Sequence, residues 1–223
     1  MSLLVVVDFD GTITERDTQD AMLERYAPGA YEVAERGLRE GTLTLRECMT
    51  MEFEPVCGDH DTLVAEAVDD ARVRPGFAEF VRAVRAVGHR LVIVSGGFES
   101  IIRPILAREG AADLPVIAHE ARFTPQGTTL EFRHGDDCEV CGEECKRSVV
   151  AGLRNGSEVV YVGDGYSDRC AALAADRRFA RHSLARDLDR LGVDYTPFED
   201  FDDVREALLG SGAGVAPDPS EGR

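Results

Sequence analysis

The sequence predicts an α/β fold: a Rossmann-like parallel sheet with helices on both faces, and a small helical segment inserted after the first strand. Three observations predict it. Short valine-rich runs alternate with segments of helical period. The runs are apolar at consecutive positions, as in strands covered on both faces. Three of them end on polar residues: Asp8 and Asp10, then Ser95, then Asp164 and Asp168. In open parallel sheets, functional groups lie beyond the carboxyl ends of the strands.

The elements follow in order. Residues 3–8 form the first buried strand. Residues 17–70 turn helical, with apolar clusters at Ala21–Met22, Val33–Ala34, Cys48–Met49 and around Val64, Ala67 and Val68. Breaks are expected at Pro28–Gly29, at Gly41 and over 55–58. After Arg74-Pro75-Gly76, an amphipathic helix carries Phe77, Phe80, Val81, Val84 and Val87 on one face, and Gly88 stops it. A second strand over 90–95 ends at Gly96–Gly97. The next helix bears Ile101, Ile102, Ile105 and Leu106, and Pro104 is expected to kink it or delay its start. A third strand is expected over 114–118, then a hairpin over 122–132 turning at Pro125–Gly127. Residues 146–154 are helical, and a strand over 158–162 runs into GDGYSD. A helix, a short strand at 178–180 and a last helix near 202–209 complete the pattern. The expected division is a core of residues 1–14 and 73–209, an inserted helical cap of residues 15–72, and a disordered Pro/Gly-rich tail over 210–223.

Composition bounds the function. The chain has 223 residues, 43% apolar and 30% charged, a globular balance. Its formal net charge of −17 disfavours nucleic acid and anionic membrane surfaces as partners. An anionic substrate would then need a local positive trap. The LLVVV run lacks a basic flank and the length of a signal peptide's apolar region, so a cytoplasmic protein is expected. Six cysteines are too few for a disulfide scaffold.

In DFDGT, two aspartates two residues apart repel each other unless a cation or a proton lies between them. An Asx-turn closing the strand is the competing reading of that motif alone. GDGYSD raises the count to four carboxylates at strand ends, an oxygen-rich set that suits Mg²⁺ beside a substrate phosphate. Ser95, Gly96 and Gly97 at a strand-to-helix junction offer a hydroxyl and open amides, the makings of an anion nest.

Taken together, DFDGT, a strand ending in SGG, a later lone lysine and GDGYSD resemble the four ordered motifs of the haloacid dehalogenase-like (HAD) phosphohydrolases. The likeness spans almost the whole chain except the tail, and the helical insert stands where the phosphoserine-phosphatase branch carries its small cap. The resemblance implies that Asp8 is the nucleophile and Asp10 the general acid and base. It implies Mg²⁺ held by Asp8, the Asp10 carbonyl and Asp164, with Asp168 orienting Lys146 or lying in the metal's outer shell. It also implies phosphate contacts from Gly11, Thr12, Ser95, Gly96, Gly97 and Lys146. Lys146 is the only lysine among 25 basic residues. A compact ammonium between carboxylate and phosphate is a different requirement from a planar guanidinium fork.

VIVSGGFESII is similar to phosphoserine phosphatases, from which Asp17, Ser167 and a cap without an arginine segment depart. The chain more closely resembles the 2-hydroxy-3-keto-5-methylthiopentenyl-1-phosphate phosphatases, in the cysteines before the lysine and in FARHSLARDL…YTPFEDFDDVR. The resemblance implies a Mg²⁺-dependent phosphomonoesterase acting on a small phosphorylated metabolite; a monomer or homodimer is expected. The alternatives are a phosphoserine or phosphoethanolamine/phosphocholine phosphatase, a phosphotransferase or mutase, and an idle HAD-fold binding protein. Tyr26, Tyr31, Met49, Met51 and Phe53 are candidates to read the leaving group. The cluster His134, Cys138, Cys141 and Cys145 admits three readings: structural Zn²⁺, packing thiols or a redox pair. Asp59 reads as a helix N-cap.

Overall fold

In a computed structural model, which describes residues 2–135, 138–143 and 145–210, seven strands form one sheet. The strands are β1 (Leu4–Val7), β2 (Arg90–Phe98), β3 (Val116–Thr124), β4 (Gly127–Glu131), β5 (Val159–Gly163), β6 (Arg177–Ala180) and β7 (Thr196–Pro197). Their spatial order is β4-β3-β2-β1-β5-β6-β7, parallel throughout except for the β3–β4 hairpin. The chain crosses from one half of the sheet to the other beside β1, so the ends of β1, β2 and β5 converge where a ligand crevice forms.

Alternation along β1 divides the core. Val5 and Val7 join Phe77, Phe80, Ile101, Ile105 and Phe201 on one face. Leu4 and Val6 join Val150, Tyr161, Ala171, Leu184 and Leu188 on the other. Helices α5 (Phe77–Ala86), α6 (Glu99–Arg108) and α10 (Phe201–Leu209) therefore cover the first face, and α7 (Lys146–Arg154), α8 (Arg169–Ala174) and α9 (His182–Leu191) the second.

Between β1 and α5 lie α1 (Thr18–Tyr26), α2 (Pro28–Glu40), α3 (Leu45–Phe53) and α4 (His60–Asp70). Gly41 ends α2 in the left-handed region and Asp59 caps α4, as expected; in addition Asp17 caps α1 and a Thr44/Glu47 capping box starts α3. The insert packs α4 on α6 and α3 on β4.

Four expectations are corrected. Of the two effects expected of Pro104, the delayed start is the one corrected: the helix begins at Glu99 and runs on to Arg108 with the proline inside. Strand β2 continues past Ser95 to Phe98, with Ser95, Gly96 and Gly97 bulging opposite Ala118 alone. The third strand and the first arm of the hairpin are one strand, β3. Val87 sits at the end of α5, half exposed rather than on its buried face. Helix α9 and strand β7 lie in a stretch the sequence pattern leaves unassigned. The expected tail beyond Gly210 lies outside the described residues.

The neck of the insert is a crossing of two chains. Thr14 bridges Val73, and Glu15 N–H donates to Arg72 O (2.8 Å) while Arg74 N–H donates to Ile13 O (2.8 Å). The buried Arg74 guanidinium donates to the carbonyls of Thr12 (2.9 Å), Gly11 (2.9 Å), Thr14 (3.2 Å) and Glu199 (3.3 Å). It holds the turn after β1 against the C-terminal part of the sheet. Arg74→Met should lower the unfolding free energy by about 2–4 kcal/mol, because charged donors to buried carbonyls are lost. Urea denaturation checks this; an unchanged midpoint would remove the anchoring role.

Candidate active site

The site is assembled where β1, β2, β5 and the start of α7 meet. Asp8 is the first residue beyond β1, and its N–H still donates to Val162 O on β5 (2.9 Å), so the side chain leaves a fixed ladder. Lys146 opens α7 and is 2% exposed. Its Nζ donates to Asp8 Oδ1 (2.5 Å) and to Asp168 Oδ1 (2.7 Å).

Asp168 is fully buried, and both of its oxygens are occupied. Oδ1 also accepts from the Tyr161 hydroxyl (2.6 Å), and Oδ2 accepts from the Asp164 and Gly165 amides (both 2.9 Å). Asp168 thus holds the lysine and shapes the turn after β5. Tyr161 is a site residue that the motifs do not include. A signal for it does exist: a hydroxyl on a strand buried on both faces must find a partner.

Asp164 is positioned by the Thr12 hydroxyl, which donates to its Oδ1 (2.8 Å). Gly11 lies in the left-handed region (φ 74°), and a Cβ there would come within 2.5 Å of Asp164 Oδ2. Only glycine permits that approach. The Gly11 N–H donates to Thr14 Oγ1 (3.2 Å), so Gly11 and Thr12 shape the turn and seat Asp164.

On Asp10, one oxygen accepts from the Thr18 N–H (2.9 Å) and hydroxyl (2.6 Å), while Oδ2 is buried without a hydrogen-bond partner. A Cβ on Gly97 would lie 2.4 Å from that Oδ2, so the β2 bulge presses directly on it. Ser95 is fully buried, and its Oγ accepts from the Gly97 N–H (2.9 Å). The expectation of an open Gly97 amide is therefore corrected: that donor is taken up within the bulge. Gly96 is half-buried in the same bulge.

Burial, then the neighbouring Asp168, pushes the Asp8 carboxyl well up against the pull of Lys146. Burial and Asp168 likewise raise Asp164 to about 6, and burial raises Asp10 against the Thr18 hydrogen bonds. Burial opposes the charge on Lys146, but Asp168 and Asp8 outweigh it and raise its pKa. Carboxylate oxygens of Asp8, Asp164 and Asp168 lie within 4.8 Å of one another. One ammonium does not balance this much negative charge. An all-oxygen set in which burial and mutual repulsion raise Asp8 and Asp164 fits a hard divalent cation such as Mg²⁺. Because the Asp168 oxygens already accept four bonds, Asp8 and Asp164 are the side chains suited to hold it.

His134 is corrected as a member of the cysteine cluster. Its Nε2 lies 2.9 Å from Ser95 O, under β2, and its ring centroid is 4.1 Å from that of His119, with the planes tilted by 42°. The thiols of Cys138, Cys141 and Cys145 are joined instead by Cys170, two residues after Asp168. No sequence spacing announces that residue.

Of the residues expected to read a leaving group, Met49 and Phe53 are in the core, with the Phe53 ring 4.8 Å from Phe98 beside the bulge. The Tyr26 hydroxyl donates to Glu66, and Met51 is exposed. A cleft of about 520 Å³ opens between α1 and α4, lined by Asp17, Thr18, Met22, Leu63 and Glu66 among others, and Thr18 links it to Asp10.

Residues 5–173 match the family model of haloacid dehalogenase-like hydrolases. The chain belongs to this family. The HAD chain is 30% identical over 213 residues to the 2-hydroxy-3-keto-5-methylthiopentenyl-1-phosphate phosphatase of Bacillus cereus (strain ATCC 14579), covering 93% of this chain and 96% of that protein. It superposes on a phosphoserine phosphatase solved as a phospho-aspartyl intermediate analogue, with TM-score 0.70, 19% identity, and 93% and 97% of the two chains covered. It also superposes on the phosphoserine phosphatase of T. onnurineus, with TM-score 0.68, 18% identity, and 93% and 94% covered. The shared architecture is thus that of HAD phosphatases. Among the described residues of the HAD chain, no helix is long and apolar enough to cross a membrane.

The two buried imidazoles behind Ser95 give a pH prediction. Burial, with the Lys146 charge, lowers His134 to about 4, and burial with His134 lowers His119 to about 3. Both folded-state values lie below the ordinary one, so each ring stays neutral where a free histidine would charge. NMR should show both rings neutral down to about pH 5.5, below the ordinary midpoint of about 6.5. A midpoint near that ordinary value for either ring would contradict the packing.

Proposed function

We propose that this HAD phosphatase, a phosphoric monoester hydrolase, cleaves 2-hydroxy-3-keto-5-methylthiopentenyl-1-phosphate in the cytoplasm through an aspartyl-phosphate on Asp8. The observation that carries the chemistry is Lys146 Nζ held between Asp8 and Asp168 at the end of the central strand. The full-length 30% identity to the Bacillus cereus phosphatase supports the substrate.

An Asp8 oxygen attacks phosphorus, and the bond from phosphorus to the leaving alkoxide breaks. Asp10 delivers the proton the alkoxide needs: Thr18 fixes one oxygen, leaving the unpartnered Oδ2 to carry it. The raised Asp10 carboxyl suits an acid that must hold its proton until then. Asp10, now ionised, takes a proton from the attacking water, which displaces Asp8 and releases phosphate. Lys146 stabilises the charge on Asp8 and on the phosphoryl oxygens, and Asp168 with Tyr161 keeps it aimed. Ser95 and the bulge amides receive the phosphoryl group as their internal hydrogen bond opens. Asp8, Asp164 and the Asp10 carbonyl would hold Mg²⁺, which when bound offsets the charge between carboxylate and phosphate. Residues 15–72 act as a cap that covers the reacting groups and reads the leaving group.

One observation favours a second reading, an amine-bearing leaving group. Carboxyls lead from Asp10 into the insert: half-buried Asp17, Asp20 and Glu35, and buried Glu52, which burial raises to about 7 against its Cys48 hydrogen bond. An ammonium, as in phosphoserine or phosphoethanolamine, would be received there. Comparing kcat/KM over a panel with the thiopentenyl ester, phosphoserine, phosphoethanolamine and phosphocholine decides between the readings. The thiopentenyl ester should lead by at least about tenfold, which is about 1.4 kcal/mol; an amine ester in first place would overturn the assignment.

Asp8→Asn should keep the fold and lower kcat by at least about 10³-fold, as for loss of a nucleophile. Lys146→Arg should also lower kcat, by about 10²-fold or more, because the planar fork does not fit between the two carboxylates. Steady-state assays with circular dichroism check both. Turnover close to wild type in Asp8→Asn would remove the nucleophile.

A further inference from the structure

Four thiols gather next to the phosphate site and take no part in it. Cys138, Cys141, Cys145 and Cys170 place their sulfur atoms within 4.8 Å of one another, and none is in a disulfide. Tetrahedral zinc with Zn–S bonds of about 2.3 Å needs sulfurs about 3.8 Å apart, a separation inside the span of this cluster. We propose that these four cysteines bind one zinc ion as a closed, structural tetrathiolate site that clamps the lysine-bearing loop to α8.

Packing alone does not account for the cluster. The buried Cys138, Cys145 and Cys170 form a group separate from both hydrophobic cores, with no aliphatic or aromatic member. The neighbouring Val140 is 52% exposed. The loop before α7 thus has thiols where a core would be, and a metal supplies the cross-link that apolar burial does not.

The local backbone is arranged for thiolates. The Val140 N–H donates to Cys138 Sγ (3.4 Å). The Cys-x-x-Cys turn is closed by Gly142 N–H donating to Cys138 O and Cys138 N–H donating to Glu143 O, both 2.7 Å. A small cavity of about 40 Å³ is lined by Cys141, Cys145 and Cys170 together with Leu45 and Tyr166 among others. Soft sulfur donors in a closed tetrahedron select zinc over the hard cation of the phosphate site. Binding replaces four thiol protons by one Zn²⁺, leaving a complex of charge −2 beside Arg147, whose guanidinium donates to Cys170 O (3.3 Å).

The placement gives the ion a positioning role. Cys145 directly precedes Lys146, and Cys170 follows Asp168 by two residues. The clamp therefore fixes the two residues whose side chains meet at 2.7 Å. Glu143, in the same loop, accepts from the Leu45 N–H at the start of α3 (2.9 Å), which ties the clamp to the helical insert. None of this depends on which phosphate ester is cleaved.

The test is metal analysis of the full chain purified under reducing conditions without chelator or metal-affinity resin. About one zinc per chain is expected, falling by at least about fivefold in Cys138→Ser and Cys170→Ser and retained in His134→Ala. Because a serine variant could fail to fold, wild-type protein stripped of metal and reloaded with Co²⁺ alone gives the second readout. It should show thiolate-to-cobalt charge transfer and the visible bands of a tetrahedral site. Zinc below about a fifth of an equivalent together with no such cobalt spectrum would overturn the site. So would zinc lost in His134→Ala but kept in Cys170→Ser, or a disulfide within the cluster found by intact mass in reduced protein.

Discussion

The structure turns on one buried ammonium. Lys146 Nζ sits between Asp8 and Asp168 with almost no access to solvent. Such a triad is weak evidence for stability, since two carboxylates and an ammonium all lose hydration. Removing one partner of a buried pair nonetheless leaves an unbalanced charge, at a cost of about 3–5 kcal/mol. The surrounding polar groups are arranged around this constraint. Tyr161 and two amides satisfy the rest of Asp168, so the lysine is aimed by a carboxylate that has nothing else to bind. With Asp164 close by, the acids still outnumber the ammonium, and that excess suits a divalent cation and a phosphate arriving together.

Two mechanical supports hold this centre from outside. Arg74 fastens the turn after β1 by four backbone carbonyls, and the crossing of residues 13–15 with 72–74 fixes where the helical insert leaves the sheet. Thr18, the first residue of α1, reaches back to Asp10. The insert is thereby coupled to Asp10, so a change in how α1 sits is felt at its Oδ1. On the opposite side, the thiol cluster joins the lysine loop to α8, and Glu143 joins it to α3.

The sheet and the polar strand ends were legible because each rests on local signals: apolar runs of strand length, and aspartates or serine just beyond them. The helices of the insert were legible from their breaks, and Asp17, Thr44 and Asp59 do cap them. Helix α9 was not, for a physical reason. It starts from Arg181 without a side-chain cap, with His182 at φ 45°, and buries only Leu184 and Leu188. Its start does not stand out, although Leu184, Leu188 and Leu191 recur at helical spacing. Arg74 looks like punctuation before a proline, because nothing in the sequence shows that four carbonyls surround it. Cys170 joins the other thiols only because α8 packs on α7, a long-range contact that spacing does not encode, whereas Tyr161 meets Asp168 seven residues on, across the turn after β5. Pro104 does not delay its helix, which starts at Glu99 and continues past it.

The claim on which the chemistry depends is that Asp8 is phosphorylated during turnover. The direct measurement is to quench the enzyme with acid during steady-state turnover, reduce it with borohydride and map the modified residue by peptide mass spectrometry. An acyl phosphate on Asp8 is reduced to the alcohol at that position, and unmodified carboxylates are not. Conversion at residue 8 that appears only with substrate is the expected result. Efficient turnover with no conversion at residue 8, or with conversion at another aspartate, would contradict the nucleophile and the role given to Lys146 beside it.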